Sequence, residues 1–88
     1  MTVEQKFDKK LNEVMTALQQ ETTSVEQGIS KKSIYQLNAI NNDLEQMNKI
    51  HNSKVFSPSF PRYIIDSWDY SDTLGMELMS LLEIYKKL

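Results

Sequence analysis

The chain has no cysteine, only two glycines and two prolines, and a single arginine, histidine and tryptophan among its 88 residues. Without cysteine there are no disulfides, no thiolate metal sites and no cysteine nucleophile. Two isolated glycines, Gly28 and Gly75, cannot form a glycine-rich loop that cradles phosphates. No apolar run approaches the roughly 18 residues of a membrane span, and the N-terminal MTVEQKFDKK lacks the apolar core of a signal peptide, so a cytoplasmic protein is expected. A net charge of -2 gives no electrostatic reason to approach nucleic acid. The basic residues that exist are concentrated in the middle, where Lys31, Lys32, Lys49 and Lys54 would make a weak nucleic-acid face on a second helix.

With 40% hydrophobic and 25% charged residues the composition is that of a folded chain, and the length suits one domain. A core this small gains from a further buried face, which makes a homodimer or a protein partner the expected supplement. No internal repeat or low-complexity tract is present.

Val3, Phe7, Leu11, Val14, Met15 and Leu18 recur at spacings of three and four, the stripe of an amphipathic helix. Its end has two readings. Either the helix runs to about Gln27 with Gly28 as its stop, or it breaks near Glu21 and Thr23 to Glu26 forms a capping box for the next helix. The turn is set at Gly28, giving helices over about 3–27 and 30–51. The second carries Ile34, Leu37, Ile40, Leu44, Met47 and Ile50 on one side and a capping-box spacing from Ser33 to Gln36. These two form an antiparallel hairpin. A last helix over about 72–88 buries Leu74, Leu78, Leu81, Leu82, Tyr85 and Leu88, an arc of roughly 120°. Met76, Met79 and Ile84 fall outside that arc and offer a second contact face.

The expected fold is therefore all-α, a three-helix bundle with an aromatic connecting segment over 52–71. That segment holds Phe56, Phe60, Tyr63, Trp68 and Tyr70, five of the eight aromatic residues, together with both prolines and Arg62. Compact domains seldom carry a structureless loop beyond about 15 residues, so the segment should be ordered. Tyr63 to Trp68 suits a short helical turn or a short strand. Phe56, Phe60, Ile64 and Ile65 are the better candidates for packing inward as a cap. Arg62, Tyr63, Trp68 and Tyr70, with Met76 and Met79, are the candidate partner-binding residues, because Trp, Tyr and Arg dominate interface hot spots and Met adapts to irregular surfaces.

Other constellations have plainer explanations. Asp66, Asp69 and Asp72 recur every third residue, but turn formation and capping account for Asp69 and Asp72 without a metal. His51, placed at the end of the second helix, is expected to favour the helix dipole rather than to act in catalysis. Arg62 is expected to pair with Asp66 or Asp69. Asn41, beside the apolar stripe, is the candidate for a buried, register-fixing amide.

No motif fixes a reaction, so the sequence points to a small non-enzymatic interaction or regulatory module, with no cofactor and no small-molecule substrate. Its alternatives are an immunity-type inhibitor of one toxin or enzyme, and a small hydrolase or transferase using His51 and nearby carboxylates.

Overall fold

The computed structural model describes residues 1–69 and 71–88, and it is all-α, with no strand among the described residues. Four helices follow in order: α1 (Val3–Glu26), α2 (Ile34–Lys49), α3 (Phe60–Ser67) and α4 (Thr73–Tyr85). The hairpin and the last helix expected from the apolar periodicity are present. The segment expected to connect them holds a fourth helix.

A capping box starts α1: the Thr2 hydroxyl accepts from the Gln5 amide at 3.1 Å and the Thr2 amide donates to Gln5 Oε1 at 2.9 Å. The helix continues through Thr22-Thr23-Ser24, so the reading in which it breaks near Glu21 fails. The physical reason is local, since the hydroxyls of these three residues donate to the carbonyls of Leu18, Gln19 and Gln20, one turn back, rather than competing with the helix from outside it. Gly28 then ends α1 with φ of 76°. Its amide donates to the Val25 carbonyl at 3.0 Å and the Ile29 amide to the Ser24 carbonyl at 2.8 Å, the double bond pattern of a Schellman stop.

The second helix begins at Ile34 rather than Ser30. Ser30 still donates its amide to Ser24 of the preceding helix, at 3.1 Å, and Ser33 is extended as the N-cap, so Lys31 and Lys32 lie in the link between helices. The helix also stops at Lys49, before His51. Of the four lysines expected on one helical face, only Lys49 is on α2.

The short helix α3 has no side-chain cap of its own. Asp43, in the middle of α2, supplies one. A single carboxylate oxygen accepts from the Ser59 amide (2.9 Å), the Ser59 hydroxyl (2.9 Å) and the Phe60 amide (3.1 Å). Negative charge at the positive end of the helix is favourable, and Pro61 sits in the first turn, where no amide hydrogen is needed. Asp72 caps α4 by accepting from the Gly75 amide at 3.1 Å. That helix ends at Tyr85, and Lys87 and Leu88 follow in tighter i to i+3 turns instead of completing the expected span to 88.

Each helix packs chiefly on two neighbours: α1 lies between α2 and α4, and α3 closes the circuit by touching both α2 and α4. The core is wholly apolar, with Phe7, Leu37, Ile40, Leu44, Met47, Phe60, Leu78 and Tyr85 among its fully buried members. Burying Phe60 contributes on the order of 2 to 3 kcal/mol, which explains how an eight-residue helix is held. Ile64 is buried beside it, but Ile65 is not. Once α3 is helical, Ile65 turns 100° away from Ile64 and stands 74% exposed, correcting its assignment as an inward-facing residue.

At the end of the molecule where α1 begins and α2 and α4 finish, Tyr85 is the node. Its hydroxyl donates to the Ile50 carbonyl at 2.6 Å, with the Asn52 carbonyl at 3.2 Å, and its ring lies against Phe7 at 5.6 Å between centroids. Burial pushes the Tyr85 hydroxyl pKa up. His51 meets the other side of this cluster edge-on, its ring 5.3 Å from Phe7. It lies just beyond Ile50, the C-cap of α2.

Candidate functional site

At the opposite end, Trp68 occupies the C-cap of α3, its amide bonded to the Ile64 carbonyl at 3.2 Å. Its indole nitrogen donates to Gln36 Oε1 at 3.1 Å. This is where the Ser33–Gln36 spacing resolves: Ser33 caps α2 by accepting from the Gln36 amide, while the Gln36 side chain reaches across to Trp68 instead of returning to the cap. The Lys32 ammonium lies 5.1 Å from the Trp68 ring centroid, within cation–π range. It also pairs with Asp72 at 2.6 Å and with Glu21.

All four helices therefore meet around one indole, Glu21 from α1, Gln36 from α2, Trp68 from α3 and the Asp72 cap of α4, with Lys32 as the shared cation. Partial burial by itself disfavours the charged Lys32, but hydrogen bonds and attraction from Asp72 and Glu21 prevail and hold its pKa above the usual lysine value. Burial likewise works against the charged form of Asp72. Lys32 and the amides at the start of α4 outweigh it, so its pKa lies below the usual carboxylate range.

Gly75 explains why α3 and α4 approach closely here. A Cβ at this position would lie 3.3 Å from Ile64 Cγ2, tighter than an ordinary contact, and 3.4 Å from Trp68 Cε3. Beside this contact an open apolar groove of about 660 Å³ lies between the two helices. Ile64, Ile65 and Trp68 form its α3 side, and Gly75, Met76 and Met79 its α4 side, with Asp69 and Ser80 at the margins. Met76 is 58% exposed and Met79 half-buried against the core. The other face of Trp68 borders a smaller polar cleft of about 440 Å³ that includes Ser30, Lys31, Ser33 and Ser67.

Of the residues singled out in the sequence, the structure brings Trp68, Met76 and Met79 into this groove. Arg62 and Tyr63 do not line it. Arg62 is exposed, and Tyr63 is half-buried against the core. Tyr70 lies outside the described residues. Ile84 also packs partly against the core, so the second face expected of Met76, Met79 and Ile84 reduces to Met76 and the rim of Met79.

Two expected contacts, those of Arg62 and Asn41, are replaced by others. Arg62 makes no ion pair with Asp66 or Asp69; Asp69 instead accepts from the amide (3.0 Å) and hydroxyl (2.8 Å) of Ser71, which lowers its pKa. Among the described residues no group of three or more acids and histidines is arranged to hold a metal ion. His51 makes no hydrogen bond or ion pair with an aspartate among the described residues, its recorded partner being Phe7. Asn41 is only half-buried and donates to Glu45 at 3.4 Å on its own helix, so it fixes no register.

Sequence reasoning gave Lys32, Gln36 and Ile65 other roles and assigned none at this site to Gly75. Gly75 had a signal, a glycine in the middle of a strong helical pattern, which marks a close approach. Lys32 had none, because its partners are brought to it only by the fold. No helix among the described residues is long and apolar enough to cross a membrane. Comparison with known protein families, with curated proteins and with solved structures gives no match for this chain.

Proposed function

We propose that this chain is a non-enzymatic cytoplasmic interaction module whose docking surface is the groove between α3 and α4. The observation that carries the reading is the pairing of exposed apolar walls, Ile65 and Met76, with a tryptophan already fixed in place by Gln36 and Lys32. A side chain held before binding loses little rotamer freedom on binding, and a half-buried Trp beside adaptable Met is the composition of an interface anchor. The volume falls within the range of ordinary binding pockets, and its walls are mostly apolar.

The test is capture from a cell lysate by the immobilised protein, comparing wild type with Ile65→Glu and Met76→Glu, both exposed positions at which folding should be kept. Tyr35→Glu, at a residue 83% exposed on α2, is the control. A partner retained by wild type and Tyr35→Glu but lost by both groove variants supports the reading. Equal capture by all four proteins sinks it.

A further inference from the structure

We infer that the occupant of this groove is a basic amphipathic helix of a partner protein, an inference that rests on the docking reading above. Three features of the molecule select it. The described residues include no strand, so there is no sheet edge to which an extended peptide could add, and the trough is bounded by two helices. Such a trough takes the apolar face of a third helix, read as anchors at i, i+3 or i+4, and i+7.

The one charged residue among those lining the groove is Asp69, at its Trp68 end, whereas Lys31 and Lys32 line the neighbouring cleft. Asp69 stands at the groove margin and Asp66 is exposed one turn earlier, and neither has a cationic partner within ion-pair distance among the described residues. The other acids nearby are already engaged, Asp72 by Lys32 and Glu77 by Lys10. The two donors from Ser71 favour the anionic form of Asp69 and lower its pKa. A Lys or Arg flanking the apolar face of the incoming helix meets this charge.

A second copy of the chain fits less well. Stable homodimers bury roughly 800 Å² or more per partner through largely apolar surfaces. Here the remaining exposed apolar side chains, including Ile29, Tyr35 and Val55, are scattered over other elements and do not extend the groove.

The experiment uses the intact protein and two synthetic helical peptides of about 16 residues, long enough for four turns. Both carry the same Leu stripe; one is flanked by Lys and the other by Glu. Affinity is followed by calorimetry and by the emission of Trp68, the only tryptophan, and self-association by light scattering. The Lys peptide should bind at least about tenfold tighter than the Glu peptide, a difference of about 1.4 kcal/mol. Asp66→Asn with Asp69→Asn should remove that preference, and Met76→Glu should abolish binding of both. Equal binding of the two peptides, lost in Met76→Glu, overturns the basic partner and leaves the docking groove standing. Binding unaffected by Met76→Glu, or no binding, overturns the inference. A wild-type dimer made monomeric by Met76→Glu overturns it in favour of a second copy.

Discussion

The two ends of this helical bundle are each organised by one aromatic residue, and they are held by different physics. Tyr85 is fully buried against Phe7, with its hydroxyl tied to backbone carbonyls. Trp68 is half-exposed and held by the Gln36 amide and the Lys32 ammonium, which is itself paired with two partly exposed carboxylates. The first arrangement depends on apolar burial and is indifferent to salt. The second depends on charge and hydrogen bonding, so it is the end that salt and acid can alter. The groove adjoins the second.

The sharpest way to break the comparison is to remove the ring at each end. Tyr85→Ala should cost about 3 to 5 kcal/mol, enough to unfold much of so small a chain, as read by a thermal melt followed by circular dichroism. Tyr85→Phe, which loses only the hydroxyl, should cost about 1 kcal/mol. If the alanine variant melted close to wild type, the Tyr85 end would not be the structural one.

Next in size is Asp43→Ala, which removes the only side-chain cap of α3. A loss of about 1 to 2 kcal/mol is expected, with hydrogen exchange at the Phe60 amide accelerating more than at residues of α1. Asp43→Asn should recover most of it.

Acid separates the ends without mutation. The folded-state pKa of Asp72 is depressed, so its contribution is fully present above the unfolded value of about pH 4 and is lost as pH falls through the folded value. As pH falls below about 4, Trp68 emission should change before helical signal is lost. In alkali both ends respond, because Lys32 and Tyr85 have raised values. Their contributions are complete below the unfolded values, about 10.4 and 10, and decline as pH rises through the folded ones. Simultaneous loss of both signals in acid would erase the distinction.

The smallest effect is expected from Lys32→Gln, about 1 kcal/mol or less, because the ion pairs are partly solvated. Half a molar salt should shrink the difference from wild type further, and a salt-independent loss would show that Lys32 acts through packing.

What the sequence discloses follows from how local each interaction is. The phases of α1, α2 and α4 are readable because their apolar stripes are long, and Gly28 marks the turn by itself. The third helix is ambiguous because Tyr63-Ile64-Ile65 has no one-sided pattern until the helix exists, and its cap is contributed by Asp43, sixteen residues before Ser59. In the groove, Trp68, Met76 and Met79 stand out as departures from the helical pattern, one by rarity and two by lying outside the apolar arc. Lys32 does not, since it bridges Glu21 and Asp72 from opposite halves of the chain.

The borrowed cap of α3 has a consequence for the groove. Eight residues with no cap of their own are too short to be helical in isolation, so this wall exists only after α2 has formed and the two have docked. The surface is thus a property of the completed fold and of no peptide cut from it. A partner of the proposed kind would therefore distinguish mature chains from nascent or damaged ones, and its binding would double as a measure of folding integrity.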